Sequence, residues 1–297
     1  MLPCYAECKG CKIVHKYGRD GLGAMPFEAM PAPFSEKIDA TASIAGDMAN
    51  KGIGRVDYFF SGDQVLTYTL WMFEKQSKRV KKEPMKISQH PLFNQLPPPF
   101  NQKIDAVSWN GGLGRDRIDL IFSGDQVIEY TLWSYASQRC KSQPMKISEH
   151  HLFKDLLPAP FNQRIDAISQ DSNFSGARLS WLFHDDMVIE YVLYHTIGVK
   201  HGPRGAPMKI KDSPIFNELP ETFTQKIDAF SFNGTAGQMR QDTIYTGDQV
   251  MGYKLYQYAL KKTAAQNGKR LQWEPLKRGF PSNSSTAKVA PESMARD

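Results

Sequence analysis

The sequence predicts an all-β protein, a single four-bladed β-propeller with short extensions at both ends. Three observations predict this fold: one unit of about 62 residues occurs four times, each unit contains β-branched and aromatic runs, and glycine-containing turns separate those runs. A unit that cannot bury its apolar surface alone must pack against its neighbours, and radial closure leaves no long exposed strand edge. We expect the propeller at 25–280, after an N-terminal extension (1–24) and before a disordered tail (281–297). The expected blades are about 31–90, 91–150, 151–213 and 214–280.

Each unit is built around a segment that aligns without gaps in all four copies. The segment contains an aromatic run, a Gly-Asp or Asp-Asp turn, and a second run that ends in tyrosine. This order predicts a β-hairpin. The copies begin 62, 61 and 62 residues apart, at Arg55, Arg117, Arg178 and Arg240.

Two shorter motifs flank this hairpin. An Ile-Asp-Ala motif precedes it and predicts a short first strand; its aspartates are Asp39, Asp105, Asp166 and Asp228. A Pro-Met-Lys-Ile motif follows the hairpin and predicts an outer strand or a short helix. It begins at Pro84, Pro144 and Pro207, and a degraded copy begins at Pro275. Three to four strands per unit suit a propeller, whereas the repeats of a linear solenoid are shorter, roughly 20–45 residues.

Composition limits the class of partner. The formal net charge of +6 permits an anionic partner without requiring one, and no apolar run approaches the ~20 residues that span a membrane. We therefore expect neither a membrane nor a nucleic acid as partner. The N-terminus has no apolar segment typical of a secretory signal, and the four cysteines form no disulfide framework. These features favour a cytoplasmic protein with reduced thiols, with secretion by a non-standard route left open.

The order and spacing of the motifs resemble the hemopexin-like repeat, four of which form that family's small propeller. The resemblance covers about residues 31–280. Free-standing single propellers, such as the legume seed albumins and related microbial proteins, are the more similar members. Unlike the animal members, this chain has no cysteine in blade four for a closing disulfide, and it lacks the His-Glu-x-x-His motif of the metalloproteinases.

The resemblance implies ions on the propeller axis. In the family the innermost strands line a central channel, and their backbone carbonyls face one ion. The matching residues here are Asp39, Asp105, Asp166 and Asp228. Carbonyl oxygens suit a structural Ca²⁺ or Na⁺, and a chloride held by backbone N–H groups follows the same logic. Judged from the residues alone, the aspartate side chains could instead serve only as loop caps.

Two sets of aromatic and imidazole side chains recur in repeat register. Haem is not favoured as a cofactor, because its candidate ligands His90 and His150 occupy matched positions that indicate a scaffold role. The tyrosine series and the aromatic residues three positions later predict packing between blades, with stacking on a ligand as the alternative. The tyrosines are Tyr68, Tyr130, Tyr191 and Tyr253. The later residues are Trp71, Trp133, Tyr194 and Tyr256.

The four repeated arginines form a candidate ligand-binding ring. Closure would place Arg55, Arg117, Arg178 and Arg240 on one face, where they could hold a carboxylate or a phosphate. The alternative is a pair with the carboxylate two residues later, on the same strand face. These carboxylates are Asp57, Asp119 and Asp242. Blade three has Ser180 instead, so Arg178 is the least compensated arginine.

Blade three also breaks the repeat at its hairpin turn, and blade one has a longer insert between residues 39 and 55. His184-Asp185-Asp186 replaces the Ser/Thr-Gly-Asp of the other blades. A binding site is expected where copies disagree. We therefore take His184, Asp185, Tyr191 and Tyr194 as ligand-binding candidates, together with the arginines.

Two further clusters are visible. Cys4, Cys8 and Cys11, with His15, have spacings compatible with an iron–sulfur or zinc site, but a thiol-bearing tail or an extra strand is favoured. Basic residues at 75–82 and 261–270 form patches that an acidic protein surface could contact, although a solvated loop is favoured.

These observations favour a non-hydrolytic binding protein that presents a small-ligand or partner site on one propeller face. One alternative is a cofactor-independent biosynthetic enzyme of the cyclase or cycloaddition type, in which Arg178, His184, Asp185, Asp186, Tyr191 and Tyr194 line a pocket. Another is a protein-interaction module, and a homodimer remains compatible with the sequence.

Overall fold

The protein folds as four consecutive antiparallel sheets arranged as a four-bladed propeller. The computed structural model describes residues 30–45, 53–71, 79–108, 118–132, 136–170, 177–195, 200–233 and 240–255. The proposed extension at 1–24 and tail at 281–297 therefore lie outside the described residues. In the described part, no helix has the length and hydrophobicity needed to cross a bilayer.

The strands follow the repeat. The first sheet contains β1 (Ala40–Ala45), β2 (Ile53–Ser61), β3 (Gln64–Trp71), β4 (Arg79–Lys81) and β5 (Met85–Lys86). The second contains β6 (Ala106–Val107), β7 (Asp119–Ser123), β8 (Gln126–Tyr130) and β9 (Met145–Lys146). The third contains β10 (Ala167–Gln170), β11 (Ala177–His184), β12 (Met187–His195), β13 (Gly202–Pro203) and β14 (Met208–Lys209). The fourth contains β15 (Ala229–Asn233), β16 (Arg240–Thr246) and β17 (Gln249–Leu255), preceded by α1 (Glu221–Gln225).

The predicted hairpin is confirmed in all four blades. In blade one it joins β2 to β3, with Ser61 opposite Gln64 and a two-residue turn between them. Gly62 occupies that turn with a φ of +55°, a left-handed conformation that glycine adopts without steric cost. The Pro-Met-Lys-Ile motif produces both predicted elements. Met85–Lys86 pairs with the start of β3, and a 3₁₀ turn follows at Ile87–Gln89.

The four sheets close into a ring around their first strands. Strand β1 contacts both β6 and β15, and β10 contacts the same two strands. Among the described residues, a hydrogen bond and an ion pair join blade one to blade four across this closure. The Thr41 hydroxyl donates to the carbonyl of Phe230, and Lys37 Nζ lies 3.7 Å from Asp228 Oδ1. Blade four is therefore the neighbour of blade one, as a propeller requires.

The core lies in the interfaces between adjacent blades. In three interfaces a connector segment supplies aromatic and aliphatic side chains to both sheets, with Phe100, Phe161 and Phe223 at matched positions. The interface between blades four and one has no preceding blade to supply that connector. There, Met30, Phe34 and Ile38 pack against Phe59 and Tyr245. The segment before the first strand thus closes the ring by packing.

Candidate functional site

The four repeated aspartates form one mouth of the propeller axis. Each aspartate directly precedes an innermost strand and is nearly buried, with 6–8 % of its surface exposed. One carboxylate oxygen, Oδ2, accepts the backbone N–H of the hairpin-turn residue at 2.7–2.8 Å. The turn residues are Gly62, Gly124, Asp185 and Gly247. The side chains therefore do cap loops, and they tie each hairpin to the inner strand.

The second carboxylate oxygen of each aspartate is paired with a base two residues earlier in the chain. The nitrogen–oxygen distances are 2.7 Å for Lys37, 2.6 Å for Lys103, 2.6 Å for Arg164 and 3.3 Å for Lys226. Sequence reasoning missed these four residues. The sequence does contain a pattern that identifies them, because a lysine or arginine precedes Ile-Asp-Ala in every copy.

The charged groups at this mouth act on one another across blades. Burial opposes the charge of Lys37, yet its hydrogen bond to Asp39 and the charges of Asp39, Asp228 and Asp105 together raise its pKa above the ordinary value. Three blades thus contribute to the field at one lysine. The charged groups of different blades are therefore electrostatically coupled at this mouth.

The innermost strands also bring backbone oxygen atoms to the axis. Each is the inner edge of its sheet, so part of its N–H and C=O groups has no ladder partner on the axial side. The bond from Thr41 to the Phe230 carbonyl shows how one such group is satisfied from a neighbouring blade. Carbonyl oxygens beside four nearly buried carboxylates are the donors that hard cations prefer. Among the groups at this mouth, backbone carbonyl oxygens are therefore the ligand type that suits a hard cation such as calcium or sodium.

Blade three places its two variant residues at this same mouth. Asp185 replaces the turn glycine and keeps a φ of +46°. Its Oδ1 lies 2.6 Å from Arg164, which also binds Asp166. His184 Nδ1 lies 3.0 Å from the Arg164 carbonyl oxygen, and Asp186 is paired with Lys209 at 2.8 Å. At its hairpin turn, blade three thus departs from four-fold symmetry beside the aspartate ring.

We expect Asp185→Ala to be about 1 kcal/mol less stable than Asp185→Gly, because only the alanine variant keeps a side chain in a left-handed turn. Both variants remove the carboxylate and with it the ion pair to Arg164, so the cost of losing that pair cancels when their stabilities are compared. Urea unfolding of the two proteins measures the difference. Equal stabilities would show that the turn relaxes out of the left-handed region and would contradict the prediction.

The repeated arginine positions that the structure describes lie at the other end of their blades. Arg55, Arg178 and Arg240 stand near the start of each second strand; their side chains, and the whole of Arg117, lie outside the described residues. Arg178 and His184 are six residues apart on β11, so they are about 20 Å apart at a rise of about 3.3 Å per residue. Arg178 and the His184–Asp185 pair therefore lie at opposite ends of blade three.

The residues two positions after the arginines are fully buried. They are Asp57, Asp119, Ser180 and Asp242. Asp57 accepts a hydrogen bond from the Ser43 hydroxyl at 2.7 Å, and Asp242 accepts one from Ser169 of blade three at 3.2 Å. These carboxylates therefore have partners on inner strands, and their pairing with the arginines stays a prediction.

The tyrosine series packs between blades, as predicted, wherever its side chains are described. Tyr68, Tyr130 and Tyr191 lie in three different interfaces. The Tyr191 hydroxyl donates to the Leu152 carbonyl, and burial raises the pKa of this phenol. Tyr191 is thus a packing residue and not part of a ligand surface. The side chains of Tyr194 and Tyr253 lie outside the described residues.

Comparison with known proteins identifies the fold. No protein-family model and no curated protein sequence matches this chain. The hemopexin-fold protein CP4 from cow pea superposes with a TM-score of 0.54 at 17% identity, covering 74% of this chain and 86% of that one. The chain has the hemopexin fold.

Two further solved structures are similar to this chain over most of its length. The 2S albumin seed protein from Dolichos has a TM-score of 0.53 at 17% identity, over 81% of this chain and 94% of that one. A plant lectin with two metal-binding sites from Cicer arietinum has a TM-score of 0.51 at 14% identity, over 80% and 92%. At these identities the likeness establishes the fold alone.

The repeated histidines serve as turn caps in this hemopexin fold. His90 Nδ1 accepts the N–H of Leu92 at 3.1 Å, and His150 Nδ1 accepts that of Leu152 at 3.3 Å. In blade three the hydroxyl of Ser213 has the same role. Both histidines are buried, and one nitrogen of each ring is committed to the backbone. This arrangement supports the scaffold interpretation, and burial makes both rings poor ligands for a large flat macrocycle such as haem.

Several candidate features lie outside the described residues. They are Cys4, Cys8, Cys11, His15, the blade-one insert at 46–52, the patch at 261–270 and most of the patch at 75–82. The fourth cysteine, Cys140, is described: its thiol is 3.1 Å from the Gln95 carbonyl oxygen, and burial raises its pKa. A raised pKa disfavours the reactive thiolate.

Proposed function

We propose that this protein is a binding protein that holds a hard cation on the propeller axis and presents the surrounding mouth to a ligand. The observation that carries the proposal is the ring of nearly buried aspartates at Asp39, Asp105, Asp166 and Asp228. Each aspartate is fixed by a turn N–H and a neighbouring base, so the ring is ordered before an ion binds. Both carboxylate oxygens of each aspartate are engaged, so the aspartates hold the inner strands in place, and the backbone carbonyls of those strands would supply the oxygen ligands of the ion.

The symmetry break supports a ligand site on the same face. A four-fold aspartate ring can be built with the same scaffold turn in every blade. Three blades do have the same Ser/Thr-Gly-Asp turn. Blade three instead places an exposed carboxylate, Asp185, beside Arg164 and His184 at the mouth. A ligand that reaches the axial cation would contact these groups first. The cytoplasmic location stays part of the proposal, as does a small molecule or an acidic protein surface as the partner.

Cofactor-independent catalysis has no supporting observation among the described residues. That hypothesis required one pocket lined by Arg178, His184, Tyr191 and their neighbours. Arg178 lies on the opposite face from His184, and Tyr191 is fully buried. A binding role, in contrast, requires only the mouth at the aspartate ring.

Calcium is expected to stabilise the protein. At a free Ca²⁺ concentration 100 times the dissociation constant, binding adds about 2.7 kcal/mol, which raises the unfolding midpoint by about 5–10 °C for a chain of this size. Differential scanning fluorimetry after chelator treatment measures this shift. Magnesium is the matched control, because it requires a tighter octahedral site and gives up its water reluctantly.

A charge-removing variant locates the ion. Asp105→Asn keeps the backbone carbonyl and an acceptor for the Gly124 N–H but removes one negative charge, so Ca²⁺ affinity should fall about tenfold. Asp63→Asn, at an exposed turn position, should leave the affinity unchanged. No calcium- or sodium-dependent shift, or equal affinities in both variants, would refute the axial site.

A further inference from the structure

The connector after blade two differs from its copies at residues that are not part of the axial site. In blade one the third strand and connector supply Thr67, His90 and Pro91; in blade three they supply Glu190, Ser213 and Pro214. Blade two supplies Glu129, His150 and His151 at these positions. Of these three copies, only blade two combines two imidazoles with a carboxylate.

The three blade-two side chains converge. His150 Nε2 lies 3.4 Å from Glu129 Oε1, and His151 Nδ1 lies 3.7 Å from the same oxygen. One ligand atom from each residue falls within 4.8 Å of the other two. Glu129 is one-fifth exposed and His151 two-thirds exposed, so the cluster opens to solvent on one side.

The buried member of the cluster has a nitrogen without a hydrogen-bond partner. His150 is fully buried, and its Nε2 makes no hydrogen bond within the described residues. In blade one the equivalent Nε2 of His90 is 3.0 Å from the Thr67 hydroxyl. Where His90 meets a hydroxyl, His150 therefore has its Nε2 3.4 Å from a carboxylate oxygen of Glu129, without a hydrogen bond. Buried unsatisfied nitrogens of this kind are unusual in proteins and need a cause.

We propose that Glu129, His150 and His151 bind a zinc ion on the side of blade two, with water as the fourth ligand. Two nitrogens and one carboxylate oxygen are a donor set that Zn²⁺ favours over Ca²⁺. Tetrahedral zinc with bonds of about 2.0–2.1 Å holds its ligand atoms roughly 3.3–3.5 Å apart. The two observed separations from Glu129 are close to this spacing. Rotation of the exposed His151 ring closes the third.

Metal binding changes the tautomer of His150. Its Nδ1 accepts the Leu152 N–H, so in the neutral metal-free ring the proton is on Nε2. Coordination through Nε2 moves that proton to Nδ1, and the Leu152 N–H loses its acceptor. The lost bond lowers the affinity by roughly ten- to a hundredfold relative to a site without this cost. We therefore expect micromolar rather than nanomolar binding.

Titration of the full-length protein with Zn²⁺ and Co²⁺ tests the proposal. Saturating Ca²⁺ keeps the axial site occupied, and Cys4, Cys8 and Cys11 are replaced by serine to remove the thiols of the N-terminus. We expect one zinc per chain by calorimetry. Bound Co²⁺ should show visible absorption typical of tetrahedral nitrogen and oxygen ligands, without a sulfur charge-transfer band.

Two variants copied from other blades serve as fold-preserving tests. His151→Pro introduces the residue of blades one and three, and Glu129→Thr introduces that of blade one. Each should weaken zinc binding at least tenfold while the unfolding midpoint without zinc stays close to that of the parent. Nitrogen-15 NMR should show the His150 proton moving from Nε2 to Nδ1 on binding. Absence of binding, unchanged affinity in both variants, or an unchanged tautomer would overturn the proposal.

Discussion

Replacement of Phe34 by alanine is expected to lower the free energy of unfolding by about 3–5 kcal/mol, the usual cost of truncating a buried phenylalanine. Phe34 is fully buried in the interface between blades four and one. It belongs to a segment that precedes the first strand, where a short extension would ordinarily contribute little. The large effect is expected because this segment supplies the connector that the other three interfaces receive from the preceding blade.

The repeat supplies matched controls for this prediction. Phe100→Ala and Phe161→Ala truncate the same position in two other interfaces, where both phenylalanines are also fully buried. All three variants should lose comparable stability in urea unfolding. Leu156→Ala, at a leucine that is 39% exposed, should change it by less than about 0.5 kcal/mol. A loss below about 1 kcal/mol for Phe34→Ala alone would show that the ring closes without this segment.

Much of the fold could be predicted from the sequence because its determinants are local and occur four times. The hairpins follow from runs of strand-forming residues around a turn, and the structure confirms them. The closing segment was harder to recognise. Its Met30-Pro-Ala-Pro-Phe34 resembles Leu157-Pro-Ala-Pro-Phe161, but a connector ahead of the first blade has no hairpin before it to mark its register.

The site was less predictable because it depends on which end of a strand a residue occupies. His184 and Asp185 were identified as a break in the repeat, and the structure places them beside the aspartate ring. Arg178 was grouped with them although β11 holds it about 20 Å away. Glu129 and His150 are scaffold positions when read singly. Only their separation of 3.4 Å reveals the cluster.

Lowering the pH from about 7 to 4.5 is expected to cost roughly 2–3 kcal/mol of stability through His90 alone. Burial lowers the pKa of this imidazole to about 4, and the charges of Lys82 and Arg139 act in the same direction. In the unfolded chain His90 has an ordinary pKa near 6.5, so as the pH falls below 6.5 it binds a proton that it largely does not bind in the native state. Stability from His90 is complete above pH 6.5 and is lost as the pH falls toward 4.

The hydrogen bonds of His90 explain why protonation is costly. Its Nδ1 accepts the Leu92 N–H at 3.1 Å, so a proton on Nδ1 would place two donors against each other. Its Nε2 lies 3.0 Å from the Thr67 hydroxyl.

His90→Ser is the matched variant, because Ser213 caps the same turn in blade three without a titrating group. The variant should be less stable at pH 7, since the buried ring is lost, yet its stability should fall less between pH 7 and 4.5. Urea unfolding at several pH values measures both slopes, and an NMR titration reads the His90 pKa directly. Equal slopes, or a measured pKa near 6.5, would contradict the assignment, because a neutral buried imidazole is the only source of this difference between the two proteins.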